Sequence, residues 1–102
     1  MRQNRRLEAS IAIADLFQEY FGSDINISEP FLENAEDEKS DLVLKLDRGP
    51  ELRAEVRLPY RGDIRILHNE NLKQLFLGLR NRFEEIFERI KLDSNMVIIE
   101  SV

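Results

Sequence analysis

Residues 41–68, DLVLKLDRGPELRAEVRLPYRGDIRILH, decide the fold, because apolar and charged side chains alternate through three consecutive segments of this stretch. An alternation with a period of two places apolar side chains on one face of a strand and charged side chains on the other. The segments are separated by RGP (48–50) and by PYRGD (59–63), which have the composition of turns. Because links this short join antiparallel neighbours, the pattern predicts a three-stranded antiparallel meander.

The outer face of this predicted meander carries both charged and apolar side chains. Glu51 and Glu55 interleave with arginines in the middle segment, ELRAEVRL (51–58). Two apolar side chains, Val43 and Leu67, are left over once the inward-facing residues have been assigned. The arginines expected on this face and in its adjoining turn form a row: Arg53, Arg57, Arg61 and Arg65.

Helical spacing flanks the meander on both sides. Residues 4–21 predict a first helix that stops at Gly22. The stretch LKQLFLGLRNRFEEIFERI (72–90) predicts a second helix, which begins after a cap at Asn69 or Asn71. Its apolar arc is wider than a coiled-coil seam, so we expect it to pack on the chain's own sheet, with Leu77 and Gly78 outside the arc. The apolar stripe predicted for the first helix comprises Leu7, Ile11, Ala14, Phe17 and Phe21, widened by Ile13 and Tyr20.

The remaining segments complete the sheet. DINIS (24–28) alternates and predicts a short edge strand that ends before Pro30. The mostly apolar MVIIESV (96–102) predicts a last strand that is paired inside the sheet. We therefore predict a single α+β domain over residues 1–102, in the order α-β-β-β-α-β, with an antiparallel meander sheet and two helices packed on one face.

The negative charge of the chain is concentrated in one connecting segment. The net charge is −5, whereas residues 23–41 contain seven acidic side chains and one lysine, which sum to −6. The low isoelectric point is therefore a property of this acidic connecting segment and not of the predicted helices and sheet. The 102 residues include no cysteine, and charged residues interrupt the apolar run near the N-terminus, so we expect a cytoplasmic protein without a signal peptide or a membrane span.

Patterns for catalysis, metal binding and cofactor binding are weak. His68 is the only histidine, and no recognisable Ser or Cys nucleophile accompanies it. The acidic run at 33–41 lacks the central glycine and the spacing of an EF-hand loop, and the four glycines of the chain are isolated. We predict no enzyme, no cofactor and no metal; an enzyme that uses His68 as a general base is the third hypothesis.

The first functional hypothesis is a non-catalytic protein–protein interaction module: a small acidic cytosolic adaptor, or a chaperone-like or inhibitor-like protein. Its partner is another protein or a second copy of the chain in a homodimer. The second hypothesis is a nucleic-acid-binding module, in which the row of Arg53, Arg57, Arg61 and Arg65 contacts phosphates, although the interleaved glutamates favour a solvated face. The residues predicted to contact a protein partner are those that the core stripes leave over, with the glycine beside them: Leu77, Gly78, Val43 and Leu67.

Two resemblances point to protein–protein contact. IADLFQEYFG (13–22) followed by residues 41–68 resembles the class I type III secretion chaperones in pattern. Those are small acidic cytosolic dimers, but their fold continues with further strands and another helix where one strand follows here. LVLKLDRGPELRAEVRLPYRG (42–62) with MVII (96–99) is similar to the export-switch domain of flagellar hook-length control proteins, without its proline-containing strand signature. The α-β-β-β-α order is also that of the double-stranded-RNA-binding domain, but NENLKQ (69–74) has one lysine where that family has a cluster.

Overall fold

A computed structural model of the chain describes residues 2–69, 72–92 and 96–101. The chain has an α+β fold, and its elements follow the predicted order, with the short edge strand at 26–27, a second short strand at 31–32 that was not predicted, and the second helix divided in two. The helices are α1 (Arg2–Phe21), α2 (Lys73–Gly78) and α3 (Arg80–Ile90). The strands are β1 (Asn26–Ile27), β2 (Phe31–Leu32), β3 (Leu42–Asp47), β4 (Arg53–Leu58), β5 (Ile64–His68) and β6 (Val97–Ser101).

The predicted meander is confirmed, because β3, β4 and β5 are consecutive antiparallel neighbours. Leu44, Val56 and Ile66 lie side by side on its inner face, and each is at most 1% exposed. The sheet order is β1-β3-β4-β5-β6, and β2 pairs with β3 beside β1. β1 confirms the short edge strand predicted for DINIS.

The position of the last strand differs from the prediction. β6 lies at the end of the sheet order and pairs in parallel with β5, so the expectation that it is paired inside the sheet is wrong. The reason is that α2 and α3 carry the chain back across the sheet, and a helical crossover of this kind joins parallel strands. The apolar composition of β6 arises because Val97 and Ile99 are buried against the helices.

Both helical regions pack on the same face of the sheet, as predicted. α1 contacts α3 and β3, while α2 and α3 contact β6. Three fully buried aromatic rings meet between them: the ring centroid of Phe17 lies 5.8 Å from that of Phe76 and 5.6 Å from that of Phe83. Aromatic pairs at such separations contribute about 0.5–1.5 kcal/mol each beyond the burial of their area. This cluster joins the two helical regions to each other.

The buried side of α1 differs from the predicted stripe. Leu7 and Ile11 are 38% and 54% exposed, so the prediction that they face the core is wrong. The helix is turned so that Arg6 and Phe17, both fully buried, face the interior. Since one residue corresponds to 100° of rotation, a shift of one position moves a whole stripe to the helix flank. Gly22, with a φ of 77°, follows the helix as predicted.

The second predicted helix is divided at Leu79. This residue has a φ of −94° and a ψ of −3°. Its N–H is shared between the carbonyls of Leu75 at 3.2 Å and Phe76 at 3.1 Å, as is common at helix ends. Of the two predicted caps, Asn71 lies outside the described residues, and Asn69 binds the backbone of β4 instead.

Candidate protein-binding surface

The face of the sheet opposite the helices holds an open depression of about 550 Å³, which we name the outer depression. Its floor is the backbone of Leu46, Ala54 and His68, which are cross-strand neighbours on β3, β4 and β5 and point their side chains inward. The β3–β4 turn closes one end. Its wall is formed by six outward residues: Lys45, Asp47, Arg53, Glu55, Leu67 and Asn69.

Residues of opposite charge are cross-strand neighbours in the wall of the outer depression, whose upper border we call its rim. In the register of β3 and β4, Lys45 lies opposite Glu55, and Asp47 lies opposite Arg53. Cross-strand pairs of opposite sign contribute roughly 0.2–1 kcal/mol. Leu67, which is half-buried, supplies an apolar side chain within this rim. The outer depression therefore offers an apolar contact surrounded by charges of both signs.

Asn69 fixes the turn beside the outer depression. Its side-chain oxygen accepts a hydrogen bond from the N–H of Arg53 at 2.9 Å. Its side-chain nitrogen donates to the carbonyls of Glu51 at 3.1 Å and Pro50 at 3.3 Å. The backbone N–H of Asn69 also donates to the carbonyl of Arg53 at 3.0 Å. Because one residue ties the turn to two strands, this wall is formed before any partner binds.

Arg57, at the other end of β4, is surrounded by carboxylates. Its guanidinium nitrogens lie 2.5 Å from carboxylate oxygens of Glu33 and of Glu55. A further nitrogen lies 3.1 Å from Asp41. The hydrogen bond to Glu33, followed by those to Glu55 and Asp41, raises the pKa of Arg57 above its ordinary value, although burial acts in the opposite direction. The acidic connecting segment is therefore folded onto this arginine.

The structure does not join the four predicted arginines into one basic row. Arg57 and Arg65 are cross-strand neighbours, but Arg65 pairs with Glu100 at 2.8 Å, just as Arg57 pairs with acids. Arg61 lies in the β4–β5 turn, 5.7 Å from the ring centroid of the neighbouring tyrosine. Arg53 lies opposite an aspartate at the rim of the outer depression. These neighbouring carboxylates lower the positive potential that a phosphate backbone would meet.

The four residues predicted to contact a protein partner lie on two sides of the sheet. Val43 points to the outer face beside Phe31 but is 1% exposed, which corrects the expectation that its side chain is accessible. Leu67 lies in the wall of the outer depression. Leu77 and Gly78 lie on α2, on the helical side, where Leu77 is half-buried against the core and Gly78 is exposed. The structure therefore does not bring these four residues together.

His68 is a core residue. Its side chain is 1% exposed, and its ring stacks on Phe76 with a centroid distance of 5.3 Å. Nδ1 lies 2.8 Å from the carbonyl of Asn69, and Nε2 has no hydrogen-bond partner among the described residues. A general base must reach the proton that it removes, and a substrate in solvent does not reach this imidazole.

Sequence reasoning missed the role of Arg6. The apolar stripe predicted for the first helix leaves this arginine out, yet its side chain is fully buried. Its guanidinium donates to the carbonyls of Ser40 at 2.8 Å, Leu58 at 2.9 Å and Glu38 at 2.8 Å. The signal was its spacing of seven and eleven positions from the buried Ile13 and Phe17, which places all three on one helix face. Arg6 joins α1 to the acidic connecting segment.

Within residues 2–69, 72–92 and 96–101, no helix combines the length and the hydropathy needed to cross a bilayer. Over the same residues, the histidine and the acidic side chains form no group of three or more with the arrangement of a metal site. The acidic side chains of the connecting segment instead accept hydrogen bonds within the protein: Asp37 Oδ1 from the N–H of Lys39 at 2.9 Å, and Asp41 from Arg57 at 3.1 Å.

The chain was also compared with known proteins. Neither the protein-family models, nor the curated proteins, nor the solved structures gave a match. The resemblances to secretion chaperones and to the export-switch domain therefore rest on strand and helix pattern. What this surface does is inferred below from its own residues.

Proposed function

We propose that this chain is a non-catalytic protein-interaction module that binds another protein at the outer depression. The observation that carries the proposal is the combination of a preformed wall, held by Asn69, with an accessible apolar side chain, Leu67. Concave sites with a few fixed polar groups around an apolar centre are where proteins bind ligands. The surface around this site favours a macromolecule over a small molecule as the binding partner.

Apolar side chains continue across the outer face beyond the outer depression. Phe31, on β2, is 41% exposed, and Ile98, on β6, is half-buried. The Nζ of Lys45 lies 5.8 Å from the ring centroid of Phe31, which links this ring to the rim. A small ligand occupies one pocket, whereas a protein covers a wider surface with an apolar centre and a charged rim. We therefore expect a partner that presents an apolar side chain flanked by charges of both signs.

Such a partner fits an adaptor, a chaperone-like protein or an inhibitor-like protein. We place this activity in the cytoplasm, which agrees with a chain that contains no cysteine. No catalytic step is proposed, because the imidazole of His68 lies inside the core. The nucleic-acid alternative is less supported, since Arg57 and Arg65 are both paired with carboxylates.

Affinity capture from a cytosolic extract of the native host tests the proposal. The bait is the full chain with Leu67→Glu, compared with the unaltered chain and with Leu7→Glu as a matched control. Leu7 is also an accessible leucine, 38% exposed, but it lies on α1. We expect one protein to be retained by the unaltered chain and by Leu7→Glu and to be lost with Leu67→Glu, while circular dichroism shows that all three are folded. Retention by all three baits would exclude the outer depression as the binding site.

A nucleic-acid partner gives a different result. Binding to phosphate backbones weakens steeply as salt concentration rises, because counterions are released. Titration of the chain with labelled DNA and RNA at low and at high salt measures this dependence. Tight, salt-sensitive binding that Arg53→Ala removes would favour the nucleic-acid alternative over the protein partner.

A further inference from the structure

β6 is an open edge of the sheet. The N–H of Ile64 donates to the carbonyl of Met96 at 3.0 Å. In the parallel register that follows, the backbone groups of Ile98 and Glu100 face β5. Three residues therefore present their backbone groups on the other side of the strand: Val97, Ile99 and Ser101.

This edge has little protection. Among the described residues, the carbonyl of Val97 accepts one hydrogen bond, from Nη2 of Arg80 at 3.3 Å. A carbonyl has a second lone pair, so this contact does not close it. Residues 96–101 include neither lysine nor proline, and Met96 is 58% exposed. Edge strands of this composition are templates for pairing with another strand.

We propose that β6 pairs in antiparallel fashion with β6 of a second copy of the chain, around a two-fold axis beside Ile99, so that the protein is a homodimer with a continuous sheet. In this arrangement Ile99 pairs with Ile99 of the second copy. Val97 of each copy pairs with Ser101 of the other, which gives three pairs. The three pairs supply about six backbone hydrogen bonds, two for each pair. The surface is separate from the outer depression, so the inference goes beyond the proposed function and does not depend on it.

The charges on the helices beside β6 identify a second copy as the occupant. The side chain of Arg80, on α3, reaches the edge of β6. The side of α2 and α3 that carries Arg80 therefore lies next to β6, and we call it this flank. Glu88 follows on this flank, at about 80° from Arg80. A two-fold axis reverses the helix direction, so the basic N-terminal half of this flank in one copy faces the acidic C-terminal half in the other. On α3 itself, Glu84 lies about 40° from Arg80 at 100° per residue. Lys73 begins α2, which also contacts β6.

Sedimentation equilibrium of the full chain, over a wide concentration range, tests the homodimer. We expect a species of twice the chain mass of 12.0 kDa. Ile98→Glu places a carboxylate opposite Glu100 of the second copy, where like charges repel, and is expected to raise the dissociation constant at least tenfold. Leu67→Glu, one strand further in on the same face, is the matched control and is expected to leave the dimer unchanged. If the unaltered chain stays monomeric at high concentration, the proposal is overturned.

A second variant keeps the test independent of side-chain packing. Ser101→Pro removes an N–H that points away from β5, so no hydrogen bond within the chain is lost. We expect it to weaken the dimer while the circular dichroism spectrum and the unfolding midpoint of the monomer stay the same. If both Ile98→Glu and Ser101→Pro associate as the unaltered chain does, β6 is not the interface.

Charge reversal tests the two-fold arrangement. Lys73→Glu and Glu84→Lys each place like charges against the second copy and are expected to weaken the dimer several-fold. The double variant exchanges the two charges and is expected to restore most of the affinity. If the two single variants and the double variant all associate with the same affinity, the assignment of a second copy in this orientation is overturned. An intact dimer with partner capture that Leu67→Glu does not remove overturns the proposed function alone. Capture that Leu67→Glu removes, from a chain that stays monomeric, overturns the homodimer alone.

Discussion

The two edges of the sheet are built in opposite ways. The first edge consists of two short strands, β1 and β2, which both pair with β3 and are separated by Ser28, Glu29 and Pro30. The second edge is the uninterrupted five-residue strand β6, of which one backbone carbonyl accepts from a side chain, that of Arg80. An edge that is short, bulged and proline-containing does not accept a further strand, whereas a continuous apolar edge does. The difference indicates that the first edge is closed and the second is available.

The interruption of the first edge is a β-bulge. Ser28 N–H donates to the carbonyl of Lys45 at 2.8 Å, and Phe31 pairs with Val43. Two residues of the edge, Glu29 and Pro30, thus lie opposite one residue of β3, Leu44, so the edge has one extra residue. The N–H of Lys45 donates to the side-chain oxygen of Ser28 at 2.9 Å, so the hydroxyl takes the place that a strand carbonyl would occupy.

The chain that follows this edge is tied down twice more. Arg6 binds its backbone at Glu38 and Ser40 from the interior. Arg57 binds its carboxylates at Glu33 and Asp41 from the outer face. Four predictions follow from the contrast between the two edges, in decreasing order of expected effect.

Arg6→Ala is expected to lower the free energy of unfolding by about 3–5 kcal/mol, because it opens a cavity and leaves three carbonyls, one buried and two partly buried, without their donor. The measurement is urea-induced unfolding followed by circular dichroism. Arg5→Ala is the matched control, since Arg5 is exposed and donates to the carbonyl of Lys91 at 3.2 Å. Equal losses for the two variants would show that Arg6 does not hold the segment after the first edge.

Arg57→Met is expected to lower the free energy of unfolding by about 1–2 kcal/mol, because three carboxylates lose their shared cation and repel one another. The partners are partly exposed, so the loss should become smaller near 1 M salt, where charges are screened. Unfolding at low and at high salt measures this difference. Arg61→Met, in the β4–β5 turn, is expected to change little; a loss for Arg57→Met that is independent of salt would point to packing instead.

Ser28→Ala is expected to cost about 1 kcal/mol, since the N–H of Lys45 loses its acceptor at the bulge. The amide hydrogen of Lys45 should exchange faster with solvent, which NMR measures directly, whereas Ser23→Ala, at an exposed position, should leave it unchanged. Combined with Ile98→Glu, which is expected to weaken pairing at β6, the variant also tests the contrast between the two edges. Self-association that returns in the double variant would show that the first edge had been opened.

Gly78→Ala is expected to raise the free energy of unfolding by about 0.5–1 kcal/mol, because alanine favours helix and glycine does not. A Cβ at this position meets nothing within 4 Å. Thermal unfolding measures the gain. If the variant is stabilised but associates more weakly, Gly78 contacts another chain, as the sequence analysis predicted. A loss of stability would contradict the open space around this position.

Much of the fold could be predicted from local pattern. The alternation in residues 41–68 predicted both the strands and their antiparallel order, because period and turn length are local quantities. The stripe of α1 was misplaced, because Leu7 and Arg6 differ by one residue and their polarities favour the wrong one for the core. Burial of Arg6 depends on carbonyls at residues 38, 40 and 58, which lie far away in the sequence. The candidate site was predicted in part: Leu67 lies in the outer depression, and Val43 is covered.

The sequence by itself determined the two helical regions, the three strands of the meander and the last strand, the apolar face of the meander, and the position of the negative charge. Only the tertiary structure decided that β6 runs parallel at an edge, that Arg6 is inside, and that Arg57 is neutralised by the acidic connecting segment. The physical reason is range. Periodicity and turn composition act between residues a few positions apart, whereas strand neighbours and hydrogen-bond partners are set by which distant surfaces meet when the core closes.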